Sequence, residues 1–195
     1  MIDQAVILCG GKGTRLVDRD RGEDYSQGIP KPLIEVGGVP FVVHVMDTLR
    51  HFGVYKQTLV VRKQDLHHFA SLLQGHPHTI AVASDDVDEV VLGLDLAEFF
   101  VLVNGDCLPV MSMADWRDML AVNKPCVTVK TVGGRDAGLA VIFRQDVVGG
   151  KVSCAKIGDM RKVYKRVLVM GGLHIGTPQG LNRARQYMDI VVTGQ

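Results

Sequence analysis

The residues best suited to chemistry stand near the start of the chain. Gly10-Gly11-Lys12-Gly13-Thr14-Arg15-Leu16 follows an apolar run at 5–9, and Pro30-Lys31-Pro32-Leu33 comes soon after. Gly10, Gly11 and Gly13 carry no Cβ, so the backbone can turn sharply and aim successive N–H groups at an anion. Lys12, Arg15 and Lys31 add side-chain positive charge. A glycine turn alone is often only a turn, but glycine backbone and cationic side chains together point to bound phosphate. Two other phosphate loops are excluded by spacing. No Gly-Lys-Ser/Thr follows four intervening residues, as a Walker A loop requires, and Leu16 stands where a dinucleotide-binding Gly-x-Gly-x-x-Gly needs its third glycine. Asp106 is a further candidate, a carboxylate placed after the apolar run 99–103 and the turn at Asn104-Gly105.

These side chains need elements to hold them. Residues 41–52 carry apolar side chains at helical spacing between Pro40 and Gly53, which predicts a helix. Valine-rich 57–62 predicts a strand, 64–74 a second helix closed by Gly75, and 79–83 another strand. Residues 86–98 read as a helix, 99–103 as a buried strand, 112–122 as a helix opened by Ser112, and 125–132 as a strand. Strands alternating with helices imply a parallel sheet covered on both faces, with ligands beyond the carboxyl ends of its strands. The Gly10 loop and Asp106 then share one edge. After Gly133, apolar runs at 137–143, 152–157 and 167–175, broken by glycine pairs, predict antiparallel strands laid beside the parallel set. A final helix is predicted with Thr177 as its cap, Pro178 in its first turn, and Leu181, Ala184 and Met188 facing inward. Residues 17–29 predict a mobile loop, either a cover for substrate with its tip at 25–28 or a solvated excursion. The fold class expected is α/β: a Rossmann-like three-layer α/β/α arrangement with a mostly parallel central sheet and a small antiparallel extension.

With 195 residues and 47% hydrophobic content, the chain suits one compact domain. Its 22 basic and 21 acidic residues nearly cancel, which argues against nucleic acid or an anionic membrane as partner. No apolar run reaches membrane-spanning length, and 5–9 is too short for a signal-peptide core and lacks a basic lead-in, so a cytoplasmic location is expected. Cys9, Cys107, Cys126 and Cys154 are widely spaced among apolar neighbours, the pattern of buried reduced thiols. His67, His68, His76 and His78 have no acidic or cysteine partner at ligand spacing, which argues against a metal site there.

Gly10 to Leu16, followed by Pro30-Lys31-Pro32-Leu33-Ile34-Glu35-Val36-Gly37-Gly38-Val39-Pro40, resembles the opening of the sugar-1-phosphate nucleotidyltransferases. Within that family, Ile7-Leu8-Cys9-Gly10-Gly11 and Ile175-Gly176-Thr177-Pro178 are similar to the heptose-1-phosphate guanylyltransferase branch. The resemblance implies an enzyme that joins a nucleoside triphosphate to a phosphorylated sugar and releases pyrophosphate. It implies that the loop from Gly10 through Lys12 and Thr14 holds the nucleotide, and that Arg15 clamps the departing β and γ phosphates. Lys31 would bridge the α-phosphate and the attacking phosphate, and Asp106 would hold Mg2+. A guanidinium suits bidentate phosphate contacts and a compact ammonium suits a crowded point between two phosphates. Lys156 matches the family's sugar-side lysine, although Ala155 replaces the glutamate that precedes it there.

Two departures stand out. The Gly-Thr-Ala or Gly-Thr-Gly stretch of the family is replaced by Asp86-Val87-Asp88-Glu89, and the second metal aspartate is replaced by His174. The implied metal pair is therefore Asp106 and His174, with Mn2+ as a softer alternative to Mg2+. The same departures leave open a nucleotide-binding regulatory or scaffold protein of this fold. A single domain over 1–195 is expected, with a nucleotide-binding portion at 1–132 and a sugar-side antiparallel portion and closing helix at 133–195. The base, the acceptor and any homo-oligomer are left open.

Overall fold

A computed structural model describes residues 2–10, 16–18, 23–24, 26, 28–76, 79–121, 124–130, 136–164 and 167–193. Eight strands among them form one sheet: β1 (Gln4–Leu8), β2 (Lys56–Val61), β3 (Thr79–Ala83), β4 (Phe99–Asn104), β5 (Cys107–Val110), β6 (Cys126–Lys130), β7 (Asp136–Phe143) and β8 (Val167–His174). Their order across the sheet is β3-β2-β1-β4-β7-β6-β8-β5. The first four are parallel, β8 runs parallel to β6, and β7 and β5 run against their neighbours. This is the mostly parallel α/β sheet expected.

The strands are apolar on both faces because both faces are covered. Ile7, Leu59, Val101, Val103 and Leu139 point into one core, while their neighbours Val6, Val60, Phe100, Leu102 and Ala140 point into the other. The first core receives α1 (Phe41–His51), α2 (Leu66–Gln74), α4 (Met113–Ala121) and α6 (Pro178–Thr193), through Phe41, Phe69, Trp116 and Leu181. The second receives α3 (Val87–Gly93) and α5 (Arg144–Val148), through Val91 and Val147. Helix ends follow local chemistry. Gly53 leaves α1 at φ 87°, and Thr177 Oγ1 accepts the Gly180 N–H at 3.1 Å as the cap of α6. Leu181 and Ala184 of α6 are buried as expected, whereas the side chain of Met188 lies outside the described residues.

Several expectations need correction. The helix predicted over 86–98 is only α3, opened by Asp86, whose Oδ1 accepts the N–H groups of Asp88 and Glu89 at 3.0 and 3.1 Å. It stops because the Gln4 amide reaches across to the Asp95 carbonyl and the Ala97 N–H, tying that segment to the start of β1. No strand forms at 152–157. Asp88 Oδ1 takes the Cys154 N–H and Ser153 Oγ takes that of Ala155, so side chains occupy donors that a ladder would need, and a 3-10 helix follows at Ile157–Lys162. The antiparallel strand β7 lies beside the parallel set, between β4 and β6, but β8, also predicted antiparallel, runs parallel to β6 and is antiparallel only to β5. In the segment predicted to be a loop, Val17–Asp18 pairs antiparallel with Glu23–Asp24.

All four cysteines are buried and outside any disulfide. Burial, with the Asp88 carboxylate adding to it, pushes the Cys154 thiol up to about 12, and burial followed by Asp106 raises Cys9 as well. Between about pH 8.5 and those raised values, the unfolded chain ionises these thiols while the folded chain keeps their protons. Stability therefore falls as pH rises through that window. Cys154→Ala should flatten the fall by up to about 1.4 kcal/mol per pH unit. Urea unfolding from pH 8 to 10.5 under reducing conditions reads this, and equal slopes in the two proteins would refute it.

Candidate active site at the carboxyl edge of the sheet

β1 and β4 are neighbours, with Leu8 paired to Asn104, so the turns that follow them emerge side by side. Gly105 donates its N–H to the Leu8 carbonyl at 2.8 Å. A Cβ at Gly105 would stand 2.9 Å from Cys9 Sγ, 3.2 Å from Leu8 O and 3.4 Å from Pro32 Cγ. A residue with no side chain is what lets the end of β1, the Pro30-Lys31-Pro32 segment and the Asp106 turn converge.

Lys31 opens a short 3-10 turn, Lys31–Leu33, and is only 6% exposed. Its Nζ lies 3.3 Å from Asp106 Oδ2, across 75 residues of sequence. His174 reaches the same oxygen. Strand β5 pairs antiparallel with β8 so that Cys107 faces His174, and the Ile175 N–H donates to the Asp106 carbonyl at 3.0 Å. This places His174 Nε2 3.3 Å from Asp106 Oδ2. Burial alone would raise the Asp106 carboxyl, but the His174 contact and the Lys31 ammonium outweigh it and hold the group well below the usual carboxylate range. A carboxylate and an ammonium, both largely buried, thus face each other at the edge where the Gly10 loop begins.

Of the candidate residues, Lys31, Asp106 and His174 come together, and Gly10 lies at the end of β1 on the same edge. Gly11, Lys12, Gly13, Thr14 and Arg15 lie outside the described residues. Lys156 is exposed at the start of the 3-10 helix Ile157–Lys162, where its charge acts on Asp159, and no hydrogen bond or ion pair among the described residues ties it to Asp106. Asp106, Cys107 and His174 bring one potential ligand atom each within 4.8 Å of one another. Only the carboxylate is the hard oxygen donor that magnesium prefers, and magnesium commonly takes one or two carboxylates with substrate phosphates and waters. Asp106 fits that requirement.

Sequence reasoning missed β5, and with it the reason His174 sits beside Asp106. Pro109 lies within it, and proline is tolerated in sheets at edges; β5 is the edge strand next to β8. An apolar stretch directly after the Asp106 turn was the available signal.

The chain is 38% identical over 81 residues to the UTP–glucose-1-phosphate uridylyltransferase AglF of Haloferax volcanii, an alignment covering 40% of this chain and 31% of that one. Across the curated relatives it matches, the alignments span from 15% to 32% of their length. Among solved structures, HddC of Yersinia pseudotuberculosis superposes with a TM-score of 0.73 at 16% identity, over 96% of this chain and 100% of that one. The inositol-1-phosphate CTP transferase of T. maritima does so with a TM-score of 0.66 at 18% identity, over 96% and 95%. At such identities the likeness shows the fold. The model of the MobA-like NTP transferase domain matches residues 5–168, which takes in β1 from Ala5 onward, the Gly10 loop, Lys31 and Asp106, and the chain belongs to that family.

Proposed function

We propose that this protein transfers a nucleotidyl group from a nucleoside triphosphate to a sugar 1-phosphate, giving a nucleotide-sugar and pyrophosphate. The observation that carries this reading is the buried Lys31 ammonium facing the ionised Asp106 carboxylate beside the start of the glycine loop. In the reaction an oxygen of the sugar phosphate bonds to the α-phosphorus as the bond from that phosphorus to the β-phosphate oxygen breaks. Both reacting groups are already ionised, so no general base is needed. Catalysis then consists of alignment and neutralisation of charge. Lys31 supplies a fixed positive charge where two anions must meet. The loop from Gly10 to Thr14 would hold the triphosphate, Arg15 its departing β and γ phosphates, and Lys156 the sugar side. Asp106 would hold Mg2+, which when bound neutralises phosphate oxygens.

The guanine nucleotide lean of the sequence gains support from HddC, solved in complex with GMP-PN. The inositol phosphate in the T. maritima protein's name keeps a phosphorylated non-sugar acceptor in the test panel. A pyrophosphate-release assay over four triphosphates and a panel of sugar 1-phosphates, with inositol 1-phosphate included, tests the reading. Release that depends on both substrates is expected. Triphosphate binding without release would support the alternative of a nucleotide-binding scaffold. In the same assay Arg15→Lys should raise the Michaelis constant for the triphosphate about tenfold, the worth of one charge-assisted hydrogen bond. A wild-type value would remove Arg15 from the clamp.

A further inference from the structure

Both ring nitrogens of His174 are engaged. The Gly176 N–H donates to Nδ1 at 3.0 Å, and Nε2 stands 3.3 Å from Asp106 Oδ2. A nitrogen that accepts from a backbone N–H carries no proton, so the neutral ring keeps its proton on Nε2, facing the carboxylate. The ring is also seated. A Cβ at Gly176 would fall 1.9 Å from Cε1, 2.7 Å from Nε2 and 2.8 Å from Nδ1, so the imidazole fills the space a side chain there would need. Behind it, Gly180 lets the first turn of α6 close on the His174 backbone, where a Cβ would come 2.0 Å from the carbonyl oxygen. The segment from 174 to 180 is shaped around this one histidine.

We infer that His174 is a positioning residue that holds Asp106 by donating its Nε2 proton to Oδ2, in place of the metal ligation implied by the resemblance. The inference rests on the proposed role of Asp106. Ligation through Nε2 would require loss of that proton and of the carboxylate contact, while ligation through Nδ1 would leave the Gly176 N–H without its acceptor. Neither exchange is offset by magnesium, which gains little from a neutral imidazole. Among the described residues, Lys31 and His174 both act on Oδ2, and Oδ1 meets the weak Cys107 thiol donor at 3.6 Å. The carboxylate is thereby held in one orientation.

The test is a long-range 1H–15N spectrum of the 15N-histidine-labelled full chain, before and after saturating magnesium chloride. The His174 ring is assigned by its absence in His174→Gln. An Nε2-protonated ring with Nδ1 as acceptor, unchanged by magnesium, is expected. A ring protonated on Nδ1, or loss of the Nε2 proton when magnesium is added, would overturn the inference. In turnover, His174→Ala and Gly176→Ala should each lower kcat by about ten- to a hundredfold, as loss of partners behind a ligand does. His174→Gln, which keeps an N–H donor, should recover most of it, and a glutamine variant as slow as alanine would argue against the donor role. The spectrum of the free protein needs no turnover, so an inactive wild-type chain would count against the proposed function and not against this assignment.

Discussion

Lys31→Met is expected to lower turnover by at least about a hundredfold, the usual loss when one preorganised charge is removed from a transition state. The fold should survive. Lys31 sits at the start of a turn whose backbone bonds, Leu33 N–H to Pro30 and Ile34 N–H to Lys31, do not involve its side chain, and methionine fills a similar volume without branching. Asp106→Asn should cost about as much, since asparagine keeps the shape and loses the charge. The two losses should not add, because Lys31 and Asp106 contact each other directly. Single and double variants in one steady-state assay, with thermal unfolding alongside, read all of this. Wild-type turnover in either single variant would remove that residue from the mechanism.

Gly105→Ala is expected to damage the site more than its size suggests. The added Cβ meets Cys9 Sγ at 2.9 Å and backbone Leu8 O at 3.2 Å, and neither is the free end of a flexible chain. Overpacking of this kind costs about 1–3 kcal/mol. The larger effect falls on geometry. Gly105 precedes Asp106, and Pro32, which follows Lys31, lies across the same gap, so relief of the clash moves one charge against the other. A displacement near 1 Å costs about a hundredfold in rate. The expected result is a folded protein with lowered melting temperature and turnover down by about that factor. Unchanged turnover would mean that the spacing between Lys31 and Asp106 is not set by this turn.

The parallel half of the fold was legible because its strands are buried on both faces and read as unbroken apolar runs, as at residues 99–103. The position of Asp106 followed from the rule that such strands end at the ligand edge. What could not be read was long-range pairing. His174 comes to Asp106 because β8 pairs with β5, and no local pattern announces which strand a chain will choose as its partner. Residues 152–157 misled for the opposite reason. Their apolar content is real, since Val152, Cys154 and Ile157 are buried, but side-chain acceptors at Asp88 and Ser153 satisfy the backbone locally. Gly176 and Gly180 read in the sequence as part of a helix entrance, and only the His174 ring against the first and the His174 carbonyl against the second explain them.

Transfer of the α-phosphorus to a sugar phosphate at the Lys31–Asp106 edge leaves a traceable product. The most direct measurement follows label from a triphosphate marked at the α-phosphate, with each base tried in turn against sugar 1-phosphates in the presence of magnesium. Label is expected to move into a nucleotide-sugar in step with unlabelled pyrophosphate, and Lys31→Met is expected to abolish the movement. Label that stays in the triphosphate with every base and acceptor, while the protein still binds it, would rule out nucleotidyl transfer at this edge.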